Sequence, residues 1–105
     1  MEKDMSVYFV GEVEVRDHET YAKYAGGVAP LLKEYRGEVL AMGGELTPLE
    51  GEAPAPRVVI VRFPSLEIAN AFLQSEAYQS LAAIRRQCAS ARTYIVAEHS
   101  EEVGG

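Results

Sequence analysis

The sequence predicts an α+β fold whose elements follow the order β-α-β-β-α-β around a four-stranded antiparallel sheet. Three observations predict it. Val58–Val61 is an unbroken apolar run, typical of a strand with both faces covered. Ser65 and Ser75 stand where helix N-caps are expected, so two helices follow this strand closely. The N-terminal half repeats the unit, with a strand at Val7–Val15 and a helix that opens at Asp17.

The first helix carries an apolar stripe with helical spacing after its cap. Gly26 and Gly27 interrupt the stripe, and Pro30 then falls in the first turn of a restarted segment, where a missing N–H costs little. We therefore expect two helical pieces with a kink at the glycines. Gly37 is the expected C-terminal stop of this helix.

The remaining elements complete the pattern. Gly43 and Gly44 predict a bend or bulge after the second strand, with Glu45–Leu49 as its continuation or as a short extra strand. The turn-rich loop Gly51–Pro56 leads into the third strand. Right-handed crossovers place both helical units on one face of the sheet, which is the ferredoxin-like split arrangement. The later strands and helices are expected at Glu38–Met42, Arg57–Phe63, Leu66–Leu73, Glu76–Ser90 and Arg92–Glu98.

Length and charge limit the classes of function. A chain of 105 residues predicts a single domain, expected over residues 6–99 between tails at 1–5 and 100–105. A net charge of −6 argues against nucleic acid and anionic membranes as partners, since phosphates need a basic footprint. The polar opening Met1–Met5 is not a signal-peptide pattern, and no apolar run is long enough to cross a bilayer. With Cys88 as the single cysteine, these features predict a cytoplasmic protein.

The third and fourth strands are apolar on both faces. On the third strand, Val58 and Ile60 oppose Val59 and Val61, and the last strand alternates in the same way. Helices on one side leave the other face uncovered, and an apolar patch of that size usually marks an interface. We therefore predict a homodimer in which two copies pack sheet to sheet.

Three segments of the chain carry a family likeness. They are Y-R-G-E-V-L-A-M-G-G-E-L-T-P-L-E-G at Tyr35–Gly51, R-V-V-I-V-R-F-P-S at Arg57–Ser65 and S-E-A-Y-Q-S-L-A-A-I-R at Ser75–Arg85. With them the chain resembles a bacterial family known as domain of unknown function thirteen-thirty, from about Val7 to Glu98. The resemblance implies a dimeric α+β barrel with a cleft between helices and sheet. It implies no reaction, because the family has no assigned catalytic residues. One departure is Arg36, where relatives more often have glycine.

Arg57 and Arg85 are candidate ligand-binding cations in this acidic chain. Arg57 opens the third strand next to the glycine-rich loop, and Arg85 shares a helix face with Tyr78, two turns before it. Arginines that edge an aromatic-lined cleft can hold a carboxylate through two hydrogen bonds. The alternative is that they pair with nearby acidic side chains or lie in solvent. Those acidic side chains are Glu45, Glu50 and Glu76.

Tyr24 is the candidate phenol on the first helix, whose face it shares with Tyr21 and Tyr35. Phenols can line an aromatic ligand's pocket or donate hydrogen bonds to the ligand. Core packing explains Tyr21 and Tyr35 better, whereas it explains Tyr24 no better than ligand binding does. Gly43 and Gly44 are further candidates, because glycine lets a ligand approach the backbone.

His18 and His99 are the only histidines, and His18 follows a helix cap. His18 is a candidate proton acceptor, although a surface histidine beside Asp17 is the better explanation. No set of His, Cys and Asp has metal-ligand spacing, so no metal site is expected. No glycine-rich nucleotide motif occurs either, and no cofactor is expected. Cys88 falls on the apolar stripe of the last helix, which predicts an inert buried thiol.

These observations favour a homodimer that binds a small carboxylate- or carbonyl-bearing molecule in a cleft between sheet and helices. Two alternatives remain open. One is a cofactor-independent isomerase or monooxygenase in which Tyr24 or His18 moves protons. The other is a structural or partner-binding dimer without a ligand.

Overall fold

The protein, seen in a computed structural model that describes residues 5–99, has the expected element order. The predicted tails lie outside the described residues, apart from Met5. The elements are β1 (Val7–Val15), α1 (His18–Glu34), β2 (Glu38–Met42), β3 (Arg57–Phe63), α2 (Leu66–Gln74), α3 (Glu76–Cys88) and β4 (Ala89–Ala97). The α+β, ferredoxin-like β-α-β-β-α-β prediction is therefore confirmed, with the second helical unit divided into α2 and α3.

The four strands form one antiparallel sheet in the order β2-β3-β1-β4. In the two central strands, Val13 of β1 pairs with Arg57 of β3, and Phe9 of β1 pairs with Val61 of β3. Because side chains alternate along a strand, this register places Arg57 on the same face as Val13 and Val61. That face carries the helices and the core.

The core lies between the sheet and the three helices. Phe63 and Phe72 are its largest fully buried side chains, and their rings lie 5.3 Å apart between centroids. Val28 and Leu32 of α1 pack into the same cluster. Burial of these side chains against β1 and β3 fixes α1 and α2 on one face of the sheet.

Three side-chain caps set the helix starts that the sequence predicts. The Asp17 carboxylate accepts hydrogen bonds from the Thr20 hydroxyl (2.7 Å) and backbone N–H (3.2 Å), and these bonds lower the pKa of Asp17. Ser65 caps α2 through the Ile68 N–H. The Ser75 hydroxyl accepts from the Tyr78 N–H and donates to the Phe72 carbonyl, so one residue closes α2 and opens α3.

The predicted kink in α1 is wrong, because the helix runs unbroken from His18 to Glu34 with Pro30 inside it. The glycines serve packing between helices instead. A Cβ on Gly27 would come within 2.5 Å of Leu81 Cδ2, so α1 approaches α3 closely at this point. Gly26 faces open space. Tertiary packing of both halves of α1 therefore outweighs the low helix propensity of its centre.

Two further expectations around the β2 strand are wrong. Arg36, and not Gly37, takes the left-handed conformation that ends α1, with φ +62°. Glu45–Leu49 has no regular secondary structure, and the β-bulge lies within β2, between Val39 and Ala41. Gly43 does make the predicted bend, with φ +70°.

The last strand begins earlier than the sequence predicts. Helix α3 ends at Cys88 and β4 starts at Ala89, where a helix to Ser90 is expected from the sequence. Ala89 pairs with Val15, so strand pairing extends to the end of β1 and takes these residues from the helix. None of the helices in residues 5–99 combines the length and the hydropathy needed to cross a bilayer.

The second face of the sheet carries no helix. Its apolar side chains include Val10, Ile60, Tyr94 and Val96, and the last two are 45% and 49% exposed. None of the four belongs to a core cluster. At one end of this face, Glu12 accepts hydrogen bonds from Arg92 (2.7 Å) and the Tyr94 hydroxyl (2.8 Å), which lower the pKa of Glu12. We call this surface the open face.

Candidate functional site

A narrow pocket lies between the covered face of the sheet and helices α1 and α3. Its cavity volume is about 50 Å³. Its walls are mainly apolar and aromatic, as in small-molecule sites. Gly11 of β1 lies in this wall without a side chain to fill the space. The other apolar and aromatic wall residues include Phe9, Val28, Val59, Val61 and Phe72.

Four predicted site residues line this pocket together: Tyr24, Arg57, Tyr78 and Arg85. The Arg57 guanidinium carbon lies 5.3 Å from the centre of the Tyr21 ring, and that of Arg85 lies 5.7 Å from the Tyr24 ring. Both distances are within the range of cation–π attraction. The structure therefore brings two cations from different elements, β3 and α3, to one aromatic cluster.

The two arginines have no acidic partner among residues 5–99. The ion pairs there join Arg62 to Glu98 and Arg92 to Glu12, on the open face. The alternative that Arg57 and Arg85 pair with Glu45, Glu50 or Glu76 is therefore wrong. Neither guanidinium group is paired with a carboxylate of residues 5–99.

Arg85 is held in a polar corner of the pocket. Its Nε atom is buried without a hydrogen-bond partner. Burial lowers the pKa of Arg85, but the phenol oxygens of Tyr78 and Tyr24 outweigh that effect and raise it. The guanidinium therefore keeps its positive charge, and its buried N–H lacks an acceptor. An unmade hydrogen bond of this kind costs free energy, which a ligand's oxygen would recover.

The phenols keep their protons at neutral pH. Burial, followed by the neighbouring Tyr78, raises the pKa of Tyr24, whose hydroxyl oxygen lies 3.4 Å from that of Tyr78. Burial also raises the pKa of Tyr21, against the opposing charges of Arg57 and Arg85. These groups can donate hydrogen bonds to an oxygen anion, but Tyr24 is a poor base.

Tyr21 belongs to the site although its spacing on α1 favours core packing. It is buried, yet it lines the pocket and lies under the Arg57 guanidinium. Tyr78 shows a related difference. It is buried in the core beside Phe72, whereas its spacing in the sequence indicates only that it shares a helix face with Arg85. The sequence shows that both residues are aromatic, but it does not show which way their rings point.

A second, shallower opening adjoins the pocket. His18 and Gly43 line it together with Val13, Glu14, Val15 and Pro56, and Arg57 lines both openings. His18 is exposed. The predicted site residues thus divide between an inner pocket and this outer opening, and Arg57 stands at their boundary. Gly44 lines neither and faces open space.

The candidate site shows no metal-binding arrangement. No three His, Cys, Asp or Glu side chains of residues 5–99 gather as metal ligands. Cys88 is buried near Tyr21 and Val13, as its place on the apolar stripe predicts.

The comparisons with known proteins give the family. Residues 6–99 match the family described as Domain of unknown function (DUF1330). The chain belongs to this family. No curated protein matches the DUF1330 chain.

Solved structures share the fold of this DUF1330 protein. A protein of unknown function from Rhodopseudomonas palustris has 19% identity and a TM-score of 0.74, over 93% of this chain and 85% of that one. SnoaB, a cofactor-independent oxygenase from Streptomyces nogalater, has 13% identity and a TM-score of 0.59, over 91% and 95%. A dimeric protein of unknown function with a ferredoxin-like fold, from Bacteroides fragilis, has 11% identity and a TM-score of 0.53, over 89% and 96%.

Proposed function

We propose that this DUF1330 protein binds a small organic carboxylate in the pocket between the sheet and helices α1 and α3. One observation carries the proposal: Arg57 and Arg85 line the same aromatic pocket, and neither pairs with a carboxylate of residues 5–99. The chain has 16 acidic residues against 10 basic ones, so acidic partners are plentiful. Two pocket arginines that pair with none of the acidic side chains of residues 5–99 are suited to binding the carboxylate of a ligand.

The pocket also fits the rest of such a ligand. A carboxylate can accept a bidentate pair of hydrogen bonds from a guanidinium, and the buried Arg85 Nε–H lacks an acceptor. The Tyr24 and Tyr78 hydroxyls lie 3.4 Å apart, so one donates to the other and the second can donate to the ligand. The narrow apolar wall favours a flat or slender hydrocarbon part. An aromatic monocarboxylate such as benzoate combines these features.

Two other functions have less support. A cofactor-independent isomerase or monooxygenase would agree with the fold shared with SnoaB. However, the raised pKa of Tyr24 keeps it protonated at neutral pH, so it cannot accept a proton there, and His18 lies exposed at the outer opening. A structural dimer without a ligand would be favoured by a filled core, whereas this core has a cavity.

The functional unit is a homodimer that packs open face to open face. The exposed Tyr94 and Val96 support this, because a second copy is the partner whose apolar face matches in size and chemistry. The ferredoxin-like neighbour from Bacteroides fragilis is described as dimeric, which also supports it. In this arrangement each subunit's pocket lies on the outer side of its sheet.

The ligand proposal is tested by a thermal-shift screen of small carboxylates, lactones and phenols. The proteins are wild type, Arg57→Gln, Arg85→Gln and, as the matched control, Arg86→Gln, which changes an exposed arginine of the same helix. A carboxylate at ~100 times its dissociation constant stabilises the wild type by about 2.7 kcal/mol. We expect this shift to vanish in the Arg57 and Arg85 variants and to persist in Arg86→Gln.

Two outcomes would contradict the proposal. One is an equal thermal shift in all four proteins, which would place the binding elsewhere. The other is a panel in which neutral lactones or phenols stabilise the protein and no carboxylate does.

A further inference from the structure

We infer that Gly43 is a positioning residue for Arg57: the absence of a side chain at position 43 holds the guanidinium at the boundary of the two openings. The inference rests on the proposed carboxylate site. A Cβ built on Gly43 would overlap Arg57 Nη1 and lie 2.8 Å from its Cζ. The guanidinium therefore occupies the space that any other residue would fill.

The backbone at position 43 cannot retreat easily from such a clash. Gly43 directly follows β2, and its N–H donates a 2.9 Å hydrogen bond to the Val58 carbonyl of β3. Its φ of +70° is also one that glycine adopts without strain. Since the backbone is anchored to the sheet, an added methyl group would displace the flexible arginine side chain.

The position of Arg57 decides where its charge acts. The guanidinium lies against Gly43 on the outer side and stacks on Tyr21 in the inner pocket. It is the charged residue that lines both openings among residues 5–99, whereas Gly43 lines only the outer one. A displaced Arg57 would keep its charge but leave the place where it faces the pocket. Gly43→Ala should therefore resemble the loss of Arg57 in ligand binding.

The chain supplies two matched controls. Gly44→Ala changes the neighbouring glycine, where a Cβ meets nothing within 4 Å and φ is not positive. Gly51→Ala imposes the same kind of backbone strain, since φ is +76°, but it also meets nothing within 4 Å. Gly44→Ala controls for the effect of adding a methyl group to this loop. Gly51→Ala controls for the strain of a side chain at positive φ. Only Gly43→Ala combines strain with a collision with Arg57.

The experiment is calorimetric titration of benzoate, and of neutral benzamide as its isostere, into the intact protein and each variant. A charge-assisted hydrogen bond from arginine contributes about tenfold or more to affinity. We expect Gly43→Ala to lose roughly that factor for benzoate and little for benzamide, as Arg57→Gln does. Gly44→Ala and Gly51→Ala should keep the preference for benzoate.

A double variant separates positioning from general damage. If Gly43 acts through Arg57, Gly43→Ala/Arg57→Gln binds benzoate no more weakly than Arg57→Gln alone. Additive losses would overturn the inference, because they would mean that Gly43 acts independently of the arginine. So would a Gly43→Ala protein that keeps the wild-type preference for benzoate.

A measurement without ligand keeps this inference distinct from the proposed function. The Arg57 Nε–H resonance, assigned by its loss in Arg57→Gln, senses the Tyr21 ring beneath the guanidinium. We expect it to move in Gly43→Ala and to stay in Gly44→Ala. If no carboxylate binds the wild type, the proposed function fails, and this resonance alone decides the positioning of Arg57. An unchanged resonance in Gly43→Ala would overturn the inference.

Discussion

Arg36 closes α1 in a backbone conformation that suits glycine better. Its φ is +62°, and the Gly37 N–H donates to the Leu32 carbonyl (2.7 Å) while the Arg36 N–H donates to Lys33 (3.1 Å). This is the Schellman pattern of hydrogen bonds, with Arg36 in the left-handed position. Gly37 is fixed by packing instead, since a Cβ there would lie 3.0–3.1 Å from Phe63, Leu32 and Val61.

Arg36→Gly should therefore stabilise the protein. The left-handed conformation costs a residue with a Cβ about 1–2 kcal/mol, and the greater freedom of glycine in the unfolded chain offsets part of the gain. We expect the free energy of unfolding to rise by about 0.5–1 kcal/mol in urea denaturation. Arg36→Ala keeps the strain and removes the guanidinium, so it should give no gain. An equal gain in both variants would mean that charge, and not backbone strain, is responsible.

The sequence predicts the chemical type of the site residues better than their geometry. Arg57 and Arg85 could be chosen from their places at the start of β3 and on the helix face of Tyr78, and the structure brings them to one pocket. The place of Tyr21 in the pocket could not be predicted, because a core tyrosine and a pocket tyrosine have the same sequence spacing on a helix. The contact of Gly43 with Arg57 depends on how β2 pairs with β3, which no local pattern specifies.

At the scale of elements, α1 shows how tertiary packing overrides local propensity. Two glycines and Pro30 lie inside an unbroken helix, although each is unfavourable there. Gly27 is explained by the close approach of Leu81, and Gly26 is not, since a Cβ there would meet nothing within 4 Å. The two neighbours therefore make a matched pair of positions.

Gly26→Ala should raise stability and Gly27→Ala should not. Both substitutions gain about 0.5–1 kcal/mol of helix propensity. Only the methyl group at position 27 must displace Leu81, which costs roughly 1–3 kcal/mol as overpacking does. Urea denaturation should rank the proteins in the order Gly26→Ala, wild type, Gly27→Ala, or place the last two together. A Gly27→Ala protein as stable as Gly26→Ala would refute the packing explanation.

An element boundary can be predicted from the sequence when the residues that determine it are close together in the chain. The starts of all three helices depend on capping side chains only three residues from the N–H groups that they cap, and the sequence places them correctly. The start of β4 depends on pairing with β1, a strand far away in the chain, and the sequence places it late. Glu45–Leu49 contains Pro48, which has no N–H for a strand ladder, and the segment remains irregular.

At the scale of the whole molecule, the open face is the surface that we propose packs against a second copy. Light scattering should give twice the chain mass for the wild type at micromolar concentration. Val96→Glu places a charge within the proposed interface, where burial is costly, and should give a monomer. Leu66→Glu is the matched control, since Leu66 is similarly exposed, at 50%, but lies on α2. A wild-type monomer, or an equal effect of both substitutions, would contradict sheet-to-sheet packing.

Arg57 and Arg85 also affect the choice of buffer for binding measurements on this protein. A pocket lined by two arginines, with no acidic side chain among residues 5–99 paired to either, attracts small anions from the solution. Acetate, citrate or formate from a buffer would compete with the proposed ligand, and the apparent dissociation constant would grow linearly with the concentration of the competitor. Binding should therefore be tightest in a buffer whose ionised form is a cation. Its counter-ion should be an anion too bulky to enter the narrow pocket. A protein prepared in citrate may not be called ligand-free until the citrate has been exchanged.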